Sequence, residues 1–409
     1  DAALLEIEHA LKIQPQNASF WLKMAVLRNR RNMYRLSQGE IDTAATAQCL
    51  AAIQRARQLN PNSAAVFNVM GLIHRQQGFL AMLGGADQRP ALREAIAALN
   101  ESHRLDPKFV LTINNLAILH CDLALYELNY GLDPRESARQ AMEWCETAIA
   151  QTPDNVYLKV ILTNAHMVLA IFELNSGGDG AAIRRYLEVC QAAVRSNPEH
   201  YQAHMQLGQA NELLARWRIR RGEDPAAAIE AARTAGRKAV ALNSSNPYSP
   251  HSLAGACLMD AEWRLRQGMD PGALLAEAEA NARRAFTINP ADIEMTLMLA
   301  RVERWQAAAR LAQRQDPGPL AQAALARLDE ADRMDPREPR VPQLRAECWL
   351  LVASAESDPE RKRQAATRSV SLFTETLRRN PYLKLDVTPH LHQAEAFTRA
   401  MAPSPRTNP

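Results

Sequence analysis

Three histidines, His74, His120 and His166, recur at 46-residue intervals, and evenly spaced imidazoles invite a metal-site reading. Zinc needs its ligand nitrogens about 2 Å from the ion, whereas equivalent positions on neighbouring helices stand roughly a helix diameter, about 10 Å, apart. Nothing nearby adds ligand spacing, so the three read as polar-tipped core residues and no metal is expected. Six cysteines (Cys49, Cys121, Cys145, Cys190, Cys257 and Cys348) include no CxxC pair. Cys145 and Cys190 share one register, but helices packed about 8–10 Å apart exceed the Cα separation a disulfide tolerates. All six are expected to be buried free thiols, which fits a reducing cytoplasm, with a periplasmic location left open. There is no GxSxG elbow, HExxH helix or phosphate loop. The nearest approach, Gly177-Gly178-Asp179-Gly180, fits a turn between helices better than a phosphate cradle. Neither catalysis nor a cofactor is expected in this chain.

Arg216, Arg218, Arg220 and Arg221 cluster at the end of a helical segment, and Arg310 and Arg314, with Arg361, Lys362 and Arg363, are read at similar ends. Arginines there complement the partial negative charge of a helix C-terminus. Glu212, Glu223 and Asp224 interleave with the first cluster and weaken it as a phosphate track. A solvated, dipole-stabilising face is the expectation, with nucleic acid and docking of an acidic protein as the lesser readings. The net charge of +3 argues for neither nucleic acid nor an acidic membrane as partner.

The elements that must carry these residues are set by proline. Pro15, Pro61, Pro107, Pro153, Pro198, Pro290, Pro336 and Pro381 follow a period of 45 or 46 residues, with Ser244 standing where one more is due. A period this regular marks an array of one supersecondary unit. Ten residues after each anchor stand Ala25, Gly71, Ala117, Thr163, Gly208, Ala254, Ala300 and Ala346. Five before come Ala10, Ala56, Ser102, Ala148, Ala193, Ala239, Ala285, Ala331 and Thr376. Small residues at fixed places let two helices approach closely. Gly39, Gly85, Gly131, Gly177, Gly222 and Gly268 read as left-handed stops after a first helix. Asp-Pro pairs at 133, 224, 270 and 316 read as the cap and first turn of a second. Each unit is therefore an antiparallel helix pair, each helix about 17–22 residues long. Strand signals are absent.

The small residue of the first helix, the alanine of the second and the closing proline resemble the tetratricopeptide (TPR) signature. Val69-Met70-Gly71 and Ala193-Val194-Arg195-Ser196-Asn197-Pro198 carry it most clearly. The departure is length: a TPR unit has about 34 residues. Both helices are expected to be longer at the far end of the hairpin. Tyr34, Tyr126, Phe172, Trp217 and Trp263, with Leu80, line that extension and are read as added core. Long units with Gly-x-Asp-Pro between the helices resemble the C-terminal arrays of some bacterial serine/threonine protein kinases. No kinase catalytic element is present, neither a His-Arg-Asp loop nor Asp-Phe-Gly.

The resemblance implies an all-α, right-handed superhelical solenoid of about eight antiparallel helix pairs, whose first helices line a concave groove. Transferring that register gives Asn68, Asn114 and His251 at seven residues after the anchor. Asn164, Gln209 and Arg301 follow at eleven, and Asn29, Arg75 and Arg304 at fourteen. Asparagine can donate to and accept from a peptide backbone, and arginine forks suit carboxylates. The lysine of the carboxylate clamp in chaperone-binding TPRs is missing. The implied work is protein–protein recognition of a protein or peptide partner, as the regulatory or docking region of a larger signalling protein such as a kinase. Self-association without a peptide ligand is the alternative.

Composition agrees: 47% hydrophobic and 5% aromatic residues suit an alanine-rich helical stack. Residues 1–381 are expected to form the array, beginning in mid-repeat at Asp1 as a piece of a longer polypeptide. A capping helix is expected over 382–401 and a disordered tail over 402–409. The most apolar stretch, Val160 to Leu174, reads as too short and too polar to span a bilayer. Each unit of such an array is expected to touch only its neighbours.

Overall fold

The structure, a computed structural model, describes residues 2–37, 40, 42–153 and 155–400. Gly39 and the tail over 402–409 lie outside them. A half unit, α1 (Ala2–Ile13), comes first. The pairs α2 (Ala18–Ser37) and α3 (Thr43–Leu59), α4 (Ala64–Leu83) and α5 (Arg89–Leu105), and α6 (Val110–Asn129) and α7 (Arg135–Gln151) follow. Next come α8 (Val156–Ser176) and α9 (Ala181–Ser196), α10 (Tyr201–Arg220) and α11 (Ala226–Leu242), and α12 (Tyr248–Arg266) and α13 (Gly272–Ile288). The last pairs are α14 (Ile293–Ala312) with α15 (Gly318–Met334) and α16 (Arg340–Ala355) with α17 (Pro359–Arg379). A 3₁₀ turn at Pro381–Leu383 leads into α18 (Lys384–Ala400). The described residues contain no strand.

The punctuation acts as the sequence predicts. Gly85, Gly131, Gly177, Gly222 and Gly268 have φ of 67, 71, 79, 72 and 70°, the left-handed stop after a first helix. In the seventh unit Arg314 takes that position at φ 58°, without glycine's freedom. Asp224, Asp270 and Asp316 each accept from the backbone N–H two residues on, at 2.9, 3.0 and 2.8 Å, and so cap the second helix. The small residues form the seam. Ala56, Ser102, Ala148, Ala239, Ala285, Ala331 and Thr376 are fully buried. A Cβ added at Gly71 would lie 2.6 Å from Leu99 Cγ, so that crossing is set by the missing methyl.

The chain forms two compact units, 1–125 with 135–165, and 126–134 with 166–409. In the first, one core cluster joins Met24, Ile53 and Ile73 and another joins Ile113, Cys145 and Leu158. In the second, Tyr186, Cys190 and Leu213 form one cluster, and Cys257, Leu275 and Met298 another. Val387 and Ala394 of α18 pack on Phe373 and Leu350.

Four expectations are corrected. Units of the second body do not touch only their neighbours: the turn after α6 meets the chain near Asp335 and Asn380. Asn380 Nδ2 donates to the Leu128 and Asn129 carbonyls at 2.9 and 3.1 Å. Arg361, Lys362 and Arg363 do not end a first helix, because α16 stops at Ala355 and Pro359 begins α17 with Asp358 as cap. The cluster at 216–221 is not one solvated face. Residues two apart on a helix point apart, and Arg220 binds the Leu174 carbonyl and Asp386 while Arg221 covers Trp217. Tyr34 is 68% exposed and adds nothing to the core, unlike Tyr126, which is buried against Tyr130.

The apolar stretch is also longer than read. Tyr157–Ser176 is apolar and long enough to cross a membrane by composition, the one such helix among the described residues. Its Leu158 and Ile161 enter the first unit's core, and its Ala170 and Leu174 the second's.

Candidate binding site on the first helices

In the first unit two of the groove candidates, Asn68 and Arg75, make polar contacts within the fold. Asn68 is buried, its Oδ1 accepting from Asn115 Nδ2 at 2.9 Å and Thr112 Oγ1 at 3.3 Å. Arg75 is half-buried and pairs with Asp122 at 2.6 Å. Asn29 and Asn114 each bury an Oδ1 that meets no partner, and Asn164 is half-buried. The recurring histidines serve local packing. His74 Nδ1 lies 2.8 Å from Gln77 Oε1, and burial brings His166 down to about 4. Among the described residues no group of three or more His, Cys, Asp or Glu could hold a metal ion. The six thiols are buried and unpaired, and burial pushes Cys145 and Cys257 up to about 12.

The glycine-rich turn before α9 resolves with equal clarity. Glu173 Oε1 accepts from Gly180 and Ala181 N–H at 2.9 and 3.1 Å, and its Oε2 from Ala182 and Ile183 N–H at 2.7 and 3.3 Å. A helix N-terminus offers such donors to an anion. Here the chain's own carboxylate fills the place.

In the second unit, the first helices α10, α12, α14 and α16 also carry charged residues. Most are matched. Arg340 donates to Glu294 at 2.6 and 2.9 Å and to Glu338 at 2.8 and 2.9 Å. Burial alone would raise Glu294, but Arg340 holds it down at about 2. Arg304 meets Glu347 at 2.9 Å as a charge pair without an aligned N–H, and stacks on Trp305 at 3.8 Å. Arg266 pairs with Glu262 at 2.6 Å. His251 stands edge-on to Tyr248, and burial brings its imidazole down to about 4.

Three residues are not matched in this way. Arg216, Arg301 and Glu212 interact electrostatically, yet among the described residues neither arginine has an ion pair at salt-bridge distance. Burial pushes Glu212 up to about 7 against the pull of both arginines. Burial, with Arg216 adding to it, lowers Arg301 to about 10. Gly255 of α12 makes room: the Glu212 carboxylate oxygens lie 3.3 Å from where a Cβ would stand. The fold thus brings Arg301 together with Glu212 and Arg216, leaves Gln209 half-buried on the same helix as those two, and uses Arg304 internally. Glu212 and Arg216 were missed as groove residues. Glu212 occupies the fourteenth position after Pro198, the register of Arg75 and Arg304, and that count was the available signal.

The helix pairs, their small-residue seams and their Asx-Pro turns define a TPR-like helical solenoid. No protein-family model matches the chain, and no curated protein matches it. Among solved structures it is similar to a TPR protein from Parabacteroides merdae, with 12% identity over 80% of this chain and 99% of that one, at TM-score 0.43. It is similar also to TTC0263, a TPR protein of Thermus thermophilus, with 21% identity over 59% and 99% and TM-score 0.38. YrrB, described as a TPR protein with an unusual peptide-binding site, shares 13% identity over 60% and 96% at TM-score 0.37.

Proposed function

We propose that the chain is a non-catalytic protein-interaction scaffold that holds a peptide segment of its partner against the first helices of the second unit. The observation that carries this reading is the contrast between paired and unpaired arginines on one face. Arg304 and Arg340 are held at ion-pair distance by carboxylates from within the fold, whereas Arg216 and Arg301 stand half-buried with only the longer-range pull of Glu212 on both. Removing a guanidinium from water without pairing it is costly, and a partner's acceptors would offset that cost. Gln209 and His251 add polar contacts on α10 and α12. In the first unit Asn114 and Asn164 are the corresponding contacts, and Asn29, Asn68 and Arg75 act behind them.

The partner we favour belongs to a signalling system, with the array docking or regulating a kinase in a bacterial cytoplasm. That part rests on the Gly-x-Asp-Pro resemblance alone. Selection of peptides from a display library tests the scaffold reading, with light scattering across a concentration series beside it. A saturable peptide ligand on a chain of constant mass supports it. Failure to select any peptide, with mass rising with concentration, would favour self-association instead.

A further inference from the structure

We infer that the second unit closes on itself through a releasable clasp, and that opening the clasp admits a partner to the first helices between its jaws. The admission rests on the peptide reading above; the clasp does not. One jaw is built from helix tips. Arg220, at the end of α10, donates to the Leu174 carbonyl of α8 and ties two successive tips together. Beside them Tyr130, just after α6, lies against Tyr126 with ring centroids 4.4 Å apart. The other jaw is built from the turns that close later units. The Arg379 guanidinium donates to the Pro336 carbonyl at 2.7 Å, which joins the turn before α16 to the end of α17. Leu383 and Val387 fix the following segment by packing with Phe373.

The two jaws meet in register. From the third pair, Tyr130 donates to Asp335, and the Leu128 and Asn129 carbonyls accept from Asn380 Nδ2 at 2.9 and 3.1 Å. From the fourth, the Phe172 ring stands edge-on to Tyr382 at 4.8 Å. From the fifth, Arg220 pairs with Asp386. Partners advance along both segments together, so three successive tips share one docking line. Gly131 allows the approach, since a Cβ there would stand 2.8 Å from Asn380 Cα.

The chemistry of these contacts suits release. They are hydrogen bonds, an ion pair and a ring edge, each of small net worth in water. The Arg220 and Asp386 side chains keep 27% and 36% of their exposure, so salt screens their pair. On separation the Asn380 amide, the Asp335 carboxylate and the two carbonyls pass to water, which satisfies them. The seams inside each helix pair, such as those at Ala239 and Ala285, stay shut. Opening of this kind needs less free energy than unfolding the array. The chain from Arg220 to Asp386 carries α12, α14 and α16, and their ion pair closes it into a loop. A peptide lying along those helices must thread the loop or enter while it is open.

Hydrogen exchange and small-angle X-ray scattering of the full chain, wild type against Asn380→Asp/Asp386→Arg, test the clasp. The first substitution keeps the oxygen that accepts from Tyr382 N–H and removes the donor to the two carbonyls. The second sets a like charge against Arg220. Amides over 126–134 and 172–178 should exchange about tenfold or more faster, and the radius of gyration should rise, with α13 unchanged. Asp386→Arg alone should open the clasp in part, and adding Arg220→Asp should reclose it. A display-selected peptide should associate faster with the double variant, in proportion to its open fraction. If circular dichroism shows that variant unfolded, Asp386→Asn gives the same comparison with smaller changes. Unchanged exchange and radius, or faster exchange that spreads to α13, would overturn the clasp. A peptide that associates at the wild-type rate with an opened clasp would overturn the gating and leave the peptide reading standing. If wild type selects no peptide, the peptide reading falls, and exchange and scattering alone decide the clasp.

Discussion

The phenol of Tyr130 donates to the carboxylate of Asp335, 205 residues further along the chain. Asp335 is buried, its other oxygen accepts from Arg337 N–H at 2.9 Å, and the Arg337 guanidinium lies 5.0 Å from the Tyr130 ring centroid. Next to this pair, a Cβ on Gly131 would stand 2.8 Å from Asn380 Cα. A solenoid whose units touch only neighbours has no use for such contacts. In the second unit they tie the tip of one hairpin to turns several units away.

Two glycine substitutions separate that tie from ordinary turn chemistry. Gly131 and Gly222 both have left-handed φ, so alanine costs each about 1–2 kcal/mol. Only Gly131 also has backbone in the way, since nothing lies within 4 Å of a Cβ at Gly222. Urea denaturation should show Gly131→Ala to be the more damaging of the two. Equal losses would mean the tip is not docked in solution.

The same turn register predicts a stabilising change. Arg314 occupies the left-handed position that glycine fills in other units. Arg314→Gly removes a strain of about 1–2 kcal/mol and returns about 0.5–1 kcal/mol of it as backbone entropy. Thermal melting should rise slightly; a fall would place the arginine side chain in a contact that matters.

Close approach between helices gives a third test. Gly71→Ala would place its Cβ 2.6 Å from Leu99 Cγ, whereas Gly208→Ala meets nothing closer than 3.4 Å. Overpacking of this kind costs about 1–3 kcal/mol. Chemical denaturation should register a loss for Gly71→Ala and little change for Gly208→Ala.

Glu212 should leave a signature in the pH dependence of stability. Its folded value is raised from 4.5 to about 7 by burial. Its favourable contribution is therefore complete below pH 4.5 and lost as pH rises through 7. His251, lowered from 6.5 to about 4, works the other way and loses stability as pH falls through its folded value. The difference between wild type and Glu212→Gln isolates the first effect. Wild type should weaken relative to the variant between pH 4.5 and 7, and a flat difference would place Glu212 in water.

The repeated unit was legible in the sequence because period, proline and glycine are backbone devices that act locally. Gly131 and Gly268 end helices where their spacing says they must. The Tyr130–Asp335 and Asn380–Leu128 contacts were not legible, since which tip meets which turn depends on small rotations summed over several units. The binding face was half legible. Counting from the anchors finds Arg301 and Arg304 alike, but only packing shows that Glu347 pairs with Arg304 at 2.9 Å while Glu212 acts on Arg301 from beyond salt-bridge distance. Glu173 makes the same point for the glycine-rich turn, whose open donors are filled by a side chain from the preceding helix.

The most direct test is fluorescence anisotropy with a display-selected peptide, titrated with wild type, with the Arg216→Gln/Arg301→Gln double variant, and with Arg310→Gln as an exposed control on α14. Loss of about tenfold or more in affinity for the double variant, with Arg310→Gln unchanged, is the predicted result. Equal affinity for all three proteins would contradict a binding face built on the two unpaired arginines.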